Sequence, residues 1–214
     1  WKGHLSALLP KRQKLTKGHH PAVPFEQIGD FMRLLRSRPA LSARALEFLI
    51  LTASRTNEVL GARRAEFDMA KKVWTVPAER MKLGADHRVP LSSRAVVLLE
   101  QVFADMPDPD GLVFADAKGD KLSDAAMSRL LRVRMGFSAF SVHGFRSTFR
   151  DWAGEATTFP EAVAEAALSH QVGTEVERAY KRGDVLEKRR KMMEAWAGYC
   201  ARPRAPNVVE MKRA

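Results

Sequence analysis

The stretch ALEFLILTA, Ala45–Ala53, is the longest apolar run in the chain. It is far short of the roughly 18 residues a membrane span needs and it carries Glu47, so it reads as a buried helix at the centre of a globular core. With 214 residues and 45% hydrophobic content, the chain can close one large domain or two small ones around it.

The flanking pattern is helical. Phe25, Ile28, Phe31, Met32 and Leu35 recur at helical spacing and Pro39 stops the run, while TNEVLGARR begins a short helix with Thr56 as a plausible cap. Between Phe67 and Leu91 the texture changes. KVWTVP and HRVPL are short, β-branched and proline-bounded, which predicts two or three strands joined by a loop holding Met81, Lys82 and Gly84. Helices resume at SSRAVVLLEQVFAD, capped by Ser92 or Ser93, and at SDAAMSRLLRVRM, capped by Ser123 or Asp124. HGFRSTFRDWAGEA, PEAVAEAALSH, TEVERAY and DVLEKRRKMMEAWAGYC follow. The fold class is mainly α with one small antiparallel sheet.

Lys and Arg number 36 against 25 Asp and Glu, a formal charge of +11 that favours a polyanionic partner, nucleic acid before membrane. The single cysteine, Cys200, leaves no internal disulfide framework or cysteine-based zinc site and suits a reducing compartment. No signal or transit peptide is recognisable, so the expected location is cytoplasmic. The one acid-rich loop, DMPDPDGLVF, breaks the calcium-loop pattern at Met106 and lacks its closing glutamate, so a metal is not expected.

Several polar residues invite a chemical reading. Arg55 follows the central helix directly and must snorkel out or meet a charged partner; Glu58, three residues on, can hold it or be plain surface charge. His143 and Arg146 share a face if HGFRSTF is helical, and a guanidinium suits a phosphodiester because it gives two parallel bonds. His170 ends a helix, where the dipole alone could explain it. Lys82 reads as a solvated turn lysine or as a mobile ammonium. Tyr180 is one of only two tyrosines and lies among Arg178, Lys181 and Arg182. A phenol of pKa about 10 needs neighbouring cations and a proton acceptor before it can act as a nucleophile. His19, His20 and His87 show no partner pattern and read as structural.

Taken together, Arg55, Lys82, HGFR with His143 and Arg146, LSH with His170, and Tyr180 resemble, in order and spacing, the tyrosine recombinases or phage integrases. The stretches HHPAVP, LILTASRTNEVLGAR, VWTVPAERMKLGADHRVPLS and ERAYKRGDVLEKRRKMMEAWAGYC are similar to the proteobacterial prophage and genomic-island branch. The likeness covers about residues 19 to 200; Asn57 and Arg64 depart from its usual pattern.

The resemblance implies a site-specific DNA recombinase in which Tyr180 attacks a phosphodiester to leave a 3′-phosphotyrosyl link and a free 5′-hydroxyl. Arg55, Arg146 and His170 would hold the non-bridging oxygens, and Lys82 would protonate the leaving 5′-oxygen. His143 would accept or relay the tyrosine proton or orient the phosphate, and Glu58 would support that side of the site. No cofactor is implied. The implied partners are double-stranded attachment-site DNA, a synaptic tetramer of the protein itself, and accessory DNA-bending and excision factors, with no membrane.

Residues 1–20 would be a basic linker from a missing N-terminal DNA-binding region, 21–201 the catalytic domain and 202–214 a disordered tail. Without that region, DNA binding by this chain should be weak and salt-sensitive. The last helix sets Val185, Leu186, Met192, Met193, Trp196 and Tyr199 on one apolar side, which either packs on its own core or docks on a neighbouring protomer. Two rival functions remain: relaxation of supercoils in the manner of a type IB topoisomerase, and a catalytically silent DNA-binding module.

Overall fold

A computed structural model describes residues 21–106, 108, 110–116, 118–170 and 185–202. After a 3₁₀ turn at Phe25–Gln27, α1 (Ile28–Arg36) buries Ile28, Phe31, Met32 and Leu35, the stripe read from the sequence. The central helix α2 (Leu41–Thr52) is buried over most of its circumference. Its Glu47, only 3% exposed, lies between Arg36 of α1 (2.7 Å) and Arg94 of a later helix (2.8 Å). A carboxylate so placed is tolerated in the core because two guanidiniums replace its hydration.

The chain leaves α2 through Ala53, whose φ of 51° is left-handed, and α3 (Thr56–Leu60) starts at once. Thr56 is the first helical residue rather than the cap; Arg55 is at the cap position, and the Glu58 carboxylate reaches back to accept its backbone N–H at 2.8 Å. Three antiparallel strands follow, β1 (Phe67–Asp68), β2 (Val73–Val76) and β3 (His87–Pro90), with Phe67 opposite Trp74 and Val76 opposite His87. Trp74 stacks on Phe67 and packs against Phe48 of α2, which fixes the sheet to the core.

Helix α4 (Ser93–Ala104) is capped by Ser92, whose hydroxyl accepts from the Ala95 N–H. The helix expected from Ser123 is shorter: α5 (Ala126–Arg129) passes into a π turn at Leu130–Arg134, and neither Ser123 nor Asp124 caps it with a side chain. Met127, Leu130 and Leu131 are buried along this segment, so packing holds it where capping does not. Arg64, one of the family departures, lies 3.8 Å above the Phe103 ring.

Helices α6 (Gly144–Glu155), α7 (Glu161–Ala167) and α8 (Leu186–Cys200) complete the core. Gly144 is needed for close approach: a Cβ there would lie 2.2 Å from the Pro21 carbonyl oxygen, where residues 21–23 cross the start of α6. Among the described residues, α8 packs on the core of its own chain. Met192, Met193, Trp196 and Cys200 are buried against their own core, while Val185 is exposed. Residues 1–20, expected to be a linker, and all of the tail expected at 202–214 except Arg202 lie outside the described residues. Among the described residues no helix is long and apolar enough to cross a membrane.

Trp196 ties α8 to α2 by donating its indole N–H to the Ile50 carbonyl at 2.8 Å, among the rings of Phe149, Trp152 and Tyr199. Trp196→Phe should lower unfolding free energy by about 2 kcal/mol and Trp196→Ala by roughly 3–5, measured by urea denaturation.

Candidate active site

Two helix ends carry the site. At the end of α2, Ala53 and Ser54 donate backbone bonds to Ile50 and Leu49, and Arg55 emerges one residue later. At the end of α7, Ser169 is left-handed with a φ of 51°; its N–H bonds the Ala166 carbonyl, and the His170 N–H bonds the Glu165 carbonyl at 2.9 Å. Both are Schellman exits in which a non-glycine residue takes the left-handed position. His170 therefore stands just beyond the helix rather than in its last turn.

Arg146, on α6, bridges these ends. Only 5% exposed, it donates from Nη1 to the Ala53 carbonyl at 2.5 Å and from Nη2 to the Leu168 carbonyl at 2.6 Å, with Nη2 also 3.2 Å from His170 Nε2. Burial, reinforced by the nearby Arg55 charge, pushes its pKa down to about 10, which still leaves it cationic at neutral pH. Arg55 reaches the same Leu168 carbonyl from Nη2 at 3.5 Å, and its Nη1 donates to Glu58 Oε1 at 2.7 Å. Glu58 thus holds both the backbone and the guanidinium of Arg55. One carbonyl consequently fixes the spacing of the two arginines.

A cleft of about 510 Å³ opens beside Arg55 and is lined by Glu58, Lys82 and His143. Lys82 is exposed in the β2–β3 connection, and His143 is exposed at the N-cap position of α6. Arg80 braces this connection: its Nη1 donates to the Glu58 carbonyl at 3.1 Å, and its Nη2 pairs with Glu66. The structure therefore pairs Arg55 with Glu58 and Arg146 with His170, joins the two pairs through the Leu168 carbonyl, and sets Lys82 and His143 along the adjoining cleft. Tyr180 lies outside the described residues.

Sequence reasoning missed three supports. Glu165 accepts from His170 Nδ1 at 2.7 Å, and Arg150 stands 2.9 Å from its other oxygen without hydrogen-bond alignment. His87, read as having no partner pattern, is half-buried at the start of β3, bonded to the Ala167 main chain close to Arg189, Glu58 and Arg55. No spacing rule links His87 to these partners, since they come from other elements. A glutamate five residues before a histidine is legible only once the helix is known to end in a Schellman turn.

The site is an array of cations pinned by main-chain carbonyls and two carboxylates, with no His/Cys/Asp/Glu group suited to a metal among the described residues. Such an array can hold a phosphodiester by its non-bridging oxygens and stabilise added negative charge on it. Fold and site together thus present a cluster of basic side chains backed by carbonyls and carboxylates at the joined ends of two helices. The chain belongs to the phage integrase family, whose model matches residues 22–185. It is 36% identical over 191 residues to the prophage integrase IntA of Escherichia coli K12, covering 86% of this chain and 45% of that protein. It is 33% identical over 200 residues to the integrase of Enterobacteria phage P4, covering 85% and 45%. The chain thus spans about half the length of these relatives.

Among solved structures, the integrase from mycobacterium phage Brujita superposes with a TM-score of 0.61 at 20% identity, covering 97% of this chain and 65% of that one. A lambda integrase dimer bound to a COC′ core site gives 0.58 at 16% identity, covering 98% and 55%. These likenesses show the fold, the tyrosine recombinase catalytic architecture of a helical core with a small antiparallel sheet.

Burial, with the Arg189 charge behind it, lowers the His87 pKa to about 4. The unfolded chain, with its histidine near 6.5, takes up the proton first, so this contribution is complete above pH 6.5 and is lost as pH falls towards 4. Relative to His87→Gln, the native chain should lose roughly 3 kcal/mol of unfolding free energy between pH 7.5 and 4. Parallel pH curves for the two proteins in urea titrations would show that His87 titrates as it does in water.

Proposed function

We propose that this chain is the catalytic domain, residues 21–201, of a site-specific DNA recombinase that integrates or excises a prophage or genomic island. The observation that carries the reading is the convergence of Arg55, Arg146 and His170 around the Leu168 carbonyl, next to the cleft lined by Lys82 and His143. Family membership and the names of the relatives support it.

In this reading the Tyr180 oxygen attacks the phosphorus of one DNA strand. The bond from phosphorus to the 5′-oxygen breaks as the bond to the phenolic oxygen forms, giving a 3′-phosphotyrosyl protein. The phenolic proton goes to a base on the His143 side, and the departing 5′-oxygen takes a proton from Lys82. Arg55, Arg146 and His170 stabilise the charge of the pentacoordinate transition state; loss of one such donor costs about 10²–10³ in rate. Rejoining is the reverse attack by a 5′-hydroxyl from another strand, which conserves the bond energy and needs no nucleotide cofactor.

The exposed Lys82 suits this role because a flexible ammonium on a hairpin connection can follow the leaving group. The partners are duplex attachment-site DNA, further copies of the protein in a synaptic tetramer, and accessory DNA-bending and excision factors, and the setting is the cytoplasm. The lambda integrase structure, bound to a core site, supports DNA as the ligand.

The intact protein and its Tyr180→Phe variant, each given a nicked suicide substrate made from the element's junction DNA, test this on a denaturing gel. A covalent adduct formed by the native protein and abolished in the variant is expected, with strand exchange separating recombination from relaxation. Bound DNA without any adduct would instead make the chain a silent binding module.

A further inference from the structure

Arg146 and Arg150 lie one turn apart on α6, and both face α7. Arg146 meets His170 at Nε2, and Arg150 stands 2.9 Å from one oxygen of Glu165, whose other oxygen lies 2.7 Å from His170 Nδ1. The histidine is thus caught between a carboxylate at Nδ1 and a guanidinium at Nε2. Each contact limits its proton positions. A guanidinium only donates, so Nε2 must accept from Arg146 with its lone pair; a carboxylate only accepts, so Nδ1 must carry the proton. The Schellman turn at the end of α7 locks the geometry a second time, because the His170 N–H bonds the main-chain carbonyl of the same Glu165.

We propose that Glu165 is a positioning residue that holds His170 as the Nδ1-protonated tautomer and supports the imidazolium when Nε2 turns from Arg146 to a phosphate oxygen. This rests on the recombinase reading above. In the state described, Nε2 is an acceptor occupied by Arg146. To donate to a phosphodiester oxygen, it must take a proton from solvent water and release that contact, which frees the Arg146 donor for the same phosphate. Glu165 makes the exchange favourable because its charge lies directly behind the ring, as a carboxylate behind an imidazole does wherever the ring must become a cation. Arg150, with Glu161 at 3.6 Å, keeps that carboxylate from swinging to solvent. The charged groups around His170 among the described residues are Glu165 on α7, Arg146 and Arg150 on α6, and Arg55, which shares the Leu168 carbonyl.

The test uses the intact protein with Glu165→Gln, His170→Ala and the double variant. Glutamine keeps the side-chain length and the backbone turn but can present either an acceptor or a donor to Nδ1. Nitrogen-15 histidine spectra should show His170 as the Nδ1–H tautomer in the native protein and as a mixture in Glu165→Gln. Single-turnover cleavage at saturating DNA should fall roughly ten- to a hundredfold in Glu165→Gln, with DNA affinity changed by less than about twofold. In the His170→Ala background the same substitution should add little, because its effect runs through the ring.

An Nε2–H tautomer in the native protein, native-rate cleavage by Glu165→Gln, or a full additive loss in the double variant would each overturn the proposal. If the native protein forms no Tyr180 adduct, it is the recombinase reading that fails. The tautomer measurement then still decides whether Glu165 sets the proton on His170.

Discussion

The Arg146 guanidinium, set between the C-terminal ends of α2 and α7, is the contact on which the site depends. A buried cation without partners would be destabilising by several kcal/mol. Here the partners are the Ala53 and Leu168 carbonyls, both at helix C-termini where the dipole adds negative potential. The bonds that make the burial tolerable also join two helices far apart in the chain. Because Arg55 follows one of those ends and His170 the other, anchoring Arg146 also sets where the Arg55 guanidinium and the His170 ring stand. A lysine could not do this, since one ammonium lacks the planar fork that reaches two carbonyls in fixed directions.

The same ends show where the backbone departs from easy conformations. Ala53 and Ser169 both take the left-handed region, which costs a non-glycine residue on the order of 1 kcal/mol. Each sits one or two residues before a side chain of the site, Arg55 or His170. A helix that simply frayed would let the following side chain wander. An exit with two backbone bonds and a fixed left-handed residue aims it, and the small side chains of alanine and serine leave the carbonyls open to Arg146.

Much of this was legible in the chain. The periodicity of Ile28 to Leu35, the apolar run around Leu49 and the β-branched texture of KVWTVP correspond to α1, α2 and β2, because burial of one face leaves a direct trace in spacing. The basic and histidine residues of the site could be picked out in order by family likeness. What escaped was set by contacts distant in sequence or by backbone shape. Thr56 looks like a cap, but the longer Glu58 reaches the Arg55 N–H first. The segment after Ser123 has helical composition but settles into a short helix and a π turn under packing. His87 has no partner in its own strand, and its surroundings come from α3, α7 and α8.

The two carboxylates of the site explain how so many cations can share a small volume. Glu58 and Glu165 each bind one member from behind, Arg55 and His170, and Glu165 is in turn held by Arg150. Arg146 has carbonyls instead, so its charge is solvated by dipoles and not cancelled. The consequence is an array whose mutual repulsion is balanced on the protein side, with positive potential left facing outward. An anion arriving at the Arg55 cleft would then meet donors already in place, which is where electrostatic stabilisation of a developing charge is most effective. A phosphate would meet guanidiniums already backed on the protein side, Arg55 by Glu58 and Arg146 by the Ala53 and Leu168 carbonyls, and would exchange the contact between Arg146 and His170.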